Sequence, residues 1–530
     1  MKRLKGLTYS YFKLTYIYKS MLLRSGIIVA FFTLLSRFFG LAREFFIAAT
    51  FGTSALADCV NVAFKFPNLF RRIFGEGALS AVFIPMFSEK LVTSRDEAKI
   101  FSGKIFTLLM ITLIILTIIV EILMSYIVLL IAPGFYLEHE KFELAVILCR
   151  ITTPYLIFVS ITALFGGMLN SVKKFAAFAF VPIIMNISVI VVTYYLQEKY
   201  TAHYGIAYSL IVAGLLQVGF MVFCLYKSDL NFPIIFALKE KSVIQLVKNM
   251  GPATLGSGSQ QLNLFISGAI ASFLPGAVSI LSYADRLYQL PLALIGITFG
   301  TILLPELSQI YKKKNYNEAN HLQNKAIQIA LLLSIPSMIG LFTLSKPIIH
   351  LIYERGKFLP EDTIYTARAL AAFSLGLPAF VIAKILTPIY YANLDTKTPF
   401  RITLYSLTIN TILNIALMIP FGYLGIAIGA SIAAWVNTWL LNKHAKHYGN
   451  FSVTYETKLF ALKVFFSSLC MLIFISFVMH YFDDLFYSHK FTIKSATLLG
   501  TITLGIAIFL IVSYCLKIHI ILLKKHDQNI

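Results

Sequence analysis

The sequence predicts an all-α, polytopic membrane protein of fourteen transmembrane helices, arranged as two pseudo-symmetric six-helix lobes followed by two C-terminal helices. Three observations carry that prediction. The chain of 530 residues is 58% hydrophobic and only 13% charged, with a mean hydropathy of +0.79, whereas a soluble domain is roughly 25% charged. Its loops alternate between basic and acidic along the chain. A motif also recurs at an offset of 220 residues: "FIPMFSE" at Phe83–Glu89 is echoed by "LLPELSQ" at Leu303–Gln309.

Apolar runs of membrane length, bounded by charge or by Gly and Pro, lie at about 26–49, 55–87, 104–132, 142–170, 175–197, 204–226, 243–274, 277–307, 323–352, 363–392, 399–419, 421–442, 459–481 and 493–522. At ~1.5 Å per residue such runs cross a hydrocarbon core of ~30 Å. The second is broken, and the second, seventh and eighth are less hydrophobic than the others. The first, Gly26–Ala49, carries Arg37, Arg43 and Glu44, each costing roughly 2.5 to 3.5 kcal/mol at the centre of a span.

Direction follows from the loops. Those after even-numbered runs hold Lys90, Arg95 and Lys99; Lys173 and Lys174; Lys227, Lys239 and Lys241; Lys312, Lys313 and Lys314; Lys397; and Lys443, Lys446 and Lys458. Those after odd-numbered runs, such as "GFYLEHEK", "YERGKFLPED" and "HYFDDLFYSHK", are poorer in bases and richer in acids. The excess of Lys and Arg on one side places both termini in the cytoplasm. The expected division is 1–20, an extension outside the fold because Met21 is a second plausible start; 21–228, the N-lobe; 229–447, the C-lobe; and 448–530, the last two spans and tail. In "FIPMFSE" and "LLPELSQ" alike, the motif lies roughly twenty residues after a base in an aromatic setting, Lys65 in "AFKF" and Arg286 in "YADRLY". Repeats of this kind meet around a transport site near the membrane midplane.

Several function classes are excluded. The formal charge of +21 is spread between apolar runs and forms no arginine-rich domain, so it reflects cytoplasmic loops and not nucleic acid. No GxxxxGK[ST] is present, so the chain carries no ATPase of its own. The cysteines, Cys59, Cys149, Cys224, Cys470 and Cys515, lie in or beside apolar runs without metal or redox spacing and read as packing residues.

The charges inside the runs carry the function. Arg37, Arg43 and Glu44 are on the first run, Asp58, Lys65, Arg71, Arg72 and Glu76 on or near the second, and Asp285 and Arg286 on the eighth. Lipid offers them no partner, so they line a wet cavity. Arg37 and Glu44 share a helix face, seven steps of ~100° returning nearly to the start, and Arg43 sits ~100° away. Lys65 and Arg72 could instead snorkel to an interface, and Asp285 could neutralise Arg286. Guanidinium groups match phosphate or carboxylate oxygens, so a diphosphate or other polyanion suits this cavity better than a cationic drug. The last two runs offer apolar surface to a lipid tail.

"SRFFGLARE", "ADCVNVAFKFPNLFRRIFGEGALSAVFIPMFSE", "YADRLYQLPLALIGITFGTILLPELS" and "DTKTPF" resemble the MurJ (MviN) family, the lipid II flippases of the multidrug/oligosaccharidyl-lipid/polysaccharide exporter superfamily. The resemblance runs from about Met21 to the end of the twelfth run. It implies a V-shaped pair of six-helix lobes around a cationic cavity, with two extra helices forming a groove for the polyprenyl tail. Lipid II, membrane lipids and other cell-wall synthesis proteins are the implied partners. Flipping by alternating access, no chemical reaction and no cofactor are implied, with coupling to membrane potential or to a monovalent ion (sodium, chloride or proton). Position by position, the family's essential arginines fall on Arg37, Arg43, Arg71 and Arg286, its cavity aspartate on Asp58 and a cavity asparagine on Asn186, with Lys65 and Arg72 beside them.

Three departures stand out. Glu44 takes the place of an aspartate, and Gln289 that of a glutamate implicated in the outward gate. Asn410 and Asn414 stand where some members bind sodium through an Asn and an Asp, so the carboxylate is missing. Two other readings remain: an exporter of another polyprenyl-linked polysaccharide or a MATE-like antiporter of the same superfamily, and a membrane-bound polyprenyl-phosphate transferase. The arginines disfavour the first. A transferase would need aspartate clusters for Mg²⁺, and the loop Ser88–Lys104 has only Asp96.

Overall fold

The computed structural model describes residues 28–70, 79–196, 201–237, 239–449 and 451–523, and every regular element among them is helical. Helix α1 covers 28–51. It is followed by α2 (Ala55–Phe70), α3 (Ser80–Thr93), α4 (Arg95–Ile122), α5 (Met124–Ile131), α6 (His139–Thr152), α7 (Tyr155–Ser171), α8 (Phe175–Leu196), α9 (Ala202–Tyr226) and α10 (Lys241–Ala271). Then come α11 (Ala277–Lys312), α12 (Tyr316–Thr343), α13 (Ser345–Tyr353), α14 (Pro360–Ser374), α15 (Leu377–Ala392), α16 (Lys397–Phe421) and α17 (Tyr423–Ala445). The chain closes with α18 (Tyr455–Tyr481), α19 (Asp483–Phe486), α20 (Phe491–Cys515) and α21 (Ile518–Leu523).

Among the described residues, ten of these segments are long and apolar enough to cross a membrane. They fall on the third to sixth and ninth to fourteenth runs read from the sequence. In their described residues the first, second, seventh and eighth runs are helical too but are not among the ten, and these are the runs that are charged or weakly apolar. Two of the ten are broken helices. Pro154 parts α6 from α7, and Gly376 and Pro378 mark the step from α14 to α15, because proline removes a ladder donor and restricts the residue before it.

The chain forms two compact units. The first consists of residues up to Thr50, Cys59–Leu130 and Tyr136–Gln261. Its core joins α3, α4 and α7 with part of α9 and the start of α10: Phe83, Phe87, Phe101, Leu164, Met168 and Met221 are among its buried side chains. The Phe83 ring stacks on Phe87 at 5.4 Å and on Phe101 at 5.8 Å. In a bilayer, lipid tails are as apolar as a core, so such helices hold by close packing more than by removal from water. Aromatic pairs add about 0.5 to 1.5 kcal/mol each.

The second unit consists of Phe51–Asp58, Ile131–Phe135 and Leu262–Ile530. In it α11 packs on α15, α16 on α17, α12 on α18 and α18 on α20. The repeated motif has the same burial register in both units: Phe83 and Phe87 in one, Leu303 and Leu307 in the other, all at most 3% exposed, with Pro85 and Pro305 between them inside a helix. On α20 the outward side chains Leu499, Leu504, Leu510 and Ile511 are more than half exposed, as a lipid-facing surface requires. The cysteines form no disulfide: Cys59 and Cys149 are buried, and Cys515 is exposed.

The basic segments are tied down locally. Arg95 and Lys99, one turn apart on α4, reach Asp229 at 3.4 and 3.1 Å, and Lys104 pairs with Glu240. The Lys104 ammonium, as hydrogen-bond donor, holds the Glu240 carboxyl below its ordinary range. Pairs this exposed contribute little each. "DTKTPF" proves to be a helix start. Asp395 accepts the Lys397 and Thr398 amides at 2.9 and 3.0 Å and the Tyr448 hydroxyl. Burial alone would raise this carboxyl, but those donors and the Thr398 hydroxyl hold it at about 2. Its stabilising contribution is therefore complete above the ordinary aspartate range and lost only as pH falls through about 2, so α16 is capped at any physiological pH.

At the start of the second unit the backbone turns tightly. Gly52 has φ +59°, and a Cβ there would lie 2.3 Å from the Lys357 carbonyl oxygen. Its own carbonyl accepts the Tyr283 hydroxyl at 3.0 Å, while the Thr53 hydroxyl donates to Asp362. Only glycine fits both the left-handed conformation and the close approach.

Candidate functional site

Helix α1 holds the densest charge. Arg43 and Glu44 are 5% and 3% exposed, in a helix whose neighbours are mostly Phe, Leu, Ile and Ala. Arg43 Nη2 meets Glu44 Oε1 at 2.5 Å and Nη1 donates to Asn186 Oδ1 at 3.1 Å. The guanidinium also lies over the Phe64 ring of α2 at 5.7 Å. Asn186, on α8, is itself fixed by donating to the Ser36 carbonyl at 3.1 Å. Arg43 and Glu44 thus form a cation–anion pair, and the residue matched to a cavity asparagine is its third member. Two of the five guanidinium N–H groups are used, and Nε is buried with no hydrogen-bond partner among the described residues. The arrangement holds a permanent cation ready for an anion, with a carboxylate to balance it meanwhile. Arg37 is half-buried two turns before, and Lys65 is exposed on α2 between buried Phe64 and Phe66.

Asp58 differs from its expected place on a cavity wall, for it has no exposed surface. Its carboxylate accepts the Gly276 amide at 3.0 Å, the Ser279 amide at 2.9 Å and the Ser279 hydroxyl at 2.8 Å. These donors open α11, whose first turn leaves amides unpaired and presents the positive end of its dipole. Asp58 therefore acts as the N-terminal cap of α11, supplied from the first turn of α2. Gly276, at φ +70°, lets the chain enter that turn. The signal in "LPGAVS" is a Pro-Gly stop followed by a serine at the start of a helical run, but nothing local names its partner.

Further along α11, Arg286 is exposed, and Gln289 donates to Asp285 four residues earlier. Asp285 thus has an amide neighbour that the sequence reading did not pair with it. Arg71, Arg72 and Glu76 lie outside the described residues.

The sodium reading of Asn410 and Asn414 can be tested against their partners. Both are on α16 and at most 1% exposed. The Asn410 amide donates to Asn263 Oδ1 at 2.7 Å and to Ser267 Oγ at 3.2 Å. With the Asn414 amide assigned by its surroundings, its nitrogen donates to Asn410 and to the Ile426 carbonyl at 3.2 Å, and its oxygen accepts from Ser267 at 3.1 Å. Asn263 and Ser267, four residues apart on α10, mirror the pair on α16. The four side chains form a closed neutral network in which each oxygen already has a donor. No carboxylate is present to offset a cation's dehydration, so these residues do not fit a sodium ion. Among the described residues no cluster of His, Cys, Asp and Glu suits a metal either.

With these broken spans the described residues, all of whose regular elements are helical, share the fold of solved transporters of the MOP superfamily. An inward-facing multidrug resistance MATE family transporter of that superfamily matches at a TM-score of 0.66 with 14% identity, over 79% of this chain and 97% of its own. Narrower agreement comes from the family model for lipid II flippase MurJ, which matches residues 47–516, and the chain belongs to that family. A probable lipid II flippase MurJ of Rickettsia prowazekii is 54% identical over 497 residues, 94% of this chain and 98% of the relative. One of Rhizobium tropici is 39% identical over 76% of this chain and 77% of the relative. The solved structure of lipid II flippase MurJ in an inward closed conformation matches at a TM-score of 0.79 with 31% identity, over 93% of this chain and 100% of that one. The chain is thus a membrane transporter and not an enzyme.

Proposed function

We propose that this protein flips lipid II, an undecaprenyl-diphosphate-linked disaccharide-pentapeptide, from the inner to the outer leaflet of the bacterial cytoplasmic membrane for cell-wall synthesis. The observation that carries the reading is the buried Arg43–Glu44–Asn186 group inside a membrane-length helix, in a chain of this family. Arg37, Arg43, Arg71 and Arg286, with Lys65 and Arg72, contact the diphosphate and sugar headgroup. When the headgroup arrives, its phosphate oxygens take the free donors of Arg43 and compete with Glu44, so loading changes the charge balance of α1. Asp58 acts at one remove, by fixing the start of α11 two turns before Arg286. The layout is fourteen spans with both termini cytoplasmic, an N-lobe over 21–228, a C-lobe over 229–447 and a groove for the polyprenyl chain within 448–530. Transport proceeds by alternating access of the two lobes.

Membrane potential is the driving force this reading favours. Moving an anionic headgroup outward across an inside-negative membrane releases about 2.3 kcal/mol per charge per 100 mV. The neutral network at Asn410 and Asn414 supports a site that takes no sodium. In vesicles at fixed potential, replacing sodium by potassium is expected to leave the flipping rate unchanged, and collapsing the potential to slow it. A rate that requires sodium would contradict this. The function itself is tested by depleting the protein and locating lipid II: it should accumulate facing the cytoplasm. Loss of lipid II synthesis would instead indicate an enzyme, and undisturbed lipid II an exporter of something else.

A further inference from the structure

Helices α12 and α18 run side by side from the lysine-rich end of the second unit. Near their starts Asn324 bonds to Ser452 and Thr454, and Gln328 to Thr457 at 3.0 Å. Helices of 28 and 27 residues extend ~40 Å, so α13 and α19 lie at the far end, where the loops are acidic in sequence. Between them, the start of α14 and the start of α20 enclose a cavity of about 460 Å³, lined by Lys346, His350, Glu354, Tyr487, His489 and Lys494.

Its charge is unbalanced towards cations. Glu354 is occupied, accepting the Thr363 hydroxyl at 2.5 Å and meeting His350 Nδ1 at 2.9 Å. The other ring nitrogen, His350 Nε2, is buried without a hydrogen-bond partner among the described residues. Lys346 Nζ lies 4.7 Å from the centre of the Tyr487 ring. Neither Lys346 nor Lys494 makes an ion pair among the described residues. Arg355 stacks on Phe491, one turn before Lys494, at 5.5 Å. Lys346 and Lys494, with Arg355 beside them, thus face the committed Glu354 and, near Tyr487, Asp483, three cations against two carboxylates, a clustering that a further anion would relieve. The neighbouring Phe482, Leu485 and Phe491 are 49%, 42% and 56% exposed, giving the cations an apolar border.

From this we infer that the cavity binds the phosphate of a lipid headgroup, the cations and the free imidazole nitrogen holding its oxygens while the exposed aromatic and leucine side chains meet the lipid chain. Lysine suits phosphate as a point charge, and cations at an interface attract anionic headgroups. The site does not depend on the reading of the α1 charges. Its phosphate could come from an anionic phospholipid or from a polyprenyl diphosphate.

Native mass spectrometry of the full chain, titrated with phosphatidylglycerol, phosphatidylcholine or undecaprenyl diphosphate, separates these. The variant K346Q/K494Q should bind phosphatidylglycerol or the polyprenyl diphosphate about tenfold more weakly than the wild type and phosphatidylcholine unchanged. The anionic lipid bound more tightly by the wild type names the source. E354Q, which removes the carboxylate but keeps its hydrogen bonds, should bind the same lipid more tightly and so tests the site even if the lysine variant does not fold. Equal affinities in wild type and both variants, or equal losses for phosphatidylcholine, would overturn the proposal.

Discussion

Replacing Arg43 by alanine is expected to abolish flipping and also to reduce the amount of folded protein. Both effects come from one guanidinium. It is the buried partner of Glu44 and Asn186, so its removal takes the 2.5 Å ion pair from a carboxylate 3% exposed. Breaking a buried pair from one side costs roughly 3 to 5 kcal/mol, enough to deplete a protein of ordinary stability. The two effects separate in the double variant R43A/E44Q. Neutralising Glu44 should restore thermal stability in detergent close to that of the wild type, while flipping stays absent because the donors for the diphosphate are missing. If R43A/E44Q supports growth on its own, Arg43 serves the fold alone. Arg43→Lys keeps the charge but loses the fork, and partial activity is the expected result.

Asp58→Ala should be the most damaging single change to the second unit. Two backbone amides at the start of α11 lose the Asp58 carboxylate as acceptor, and the Ser279 hydroxyl is left with the Gly276 carbonyl. A hydrogen bond to a charged group contributes ~1.5 to 3 kcal/mol, and a stranded buried donor adds its desolvation cost. The expected loss is about 3 kcal/mol or more, read as a lower Tm and poor accumulation in the membrane. Asp58→Asn should fall between, because one of its two oxygens becomes an amide nitrogen facing a donor. An Asp58→Asn protein with wild-type Tm and no flipping would mean that the carboxylate acts on the substrate and not through α11.

How far residues announce such roles depends on the range of the interaction. The ten strongly apolar helices are legible because hydropathy over 18 or more residues is a local property. The Arg43–Glu44 pair is also local. A rule based on azimuth would part them, since neighbours along a helix point ~100° apart, but two long side chains bend across that angle. Asn186 shows nothing by itself in "VPIIMNIS"; its contact with Arg43 is 143 residues away. Asp58 and Ser279 are 221 residues apart, so a cap looked like a cavity wall. In "LNLFISGAI", Asn263 and Ser267 carry a visible hint, two small polar residues one turn apart in an apolar run, repeated by Asn410 and Asn414. Such a match suggests that the two helices touch, and the structure adds that each pair completes the other's hydrogen bonds.

The bond between α12 and α18 also has a consequence in time. Asn324 and Gln328 enter the membrane with α12, yet their partners Ser452, Thr454 and Thr457 are made nearly 130 residues later. At ribosomal speeds of ~5 to 20 residues per second, that delay is on the order of ten seconds. During synthesis Asn324 therefore has only its bonds to Asn320 in its own helix, and Gln328 waits for Thr457. The bonds that join the two helices can form only once α18 has arrived.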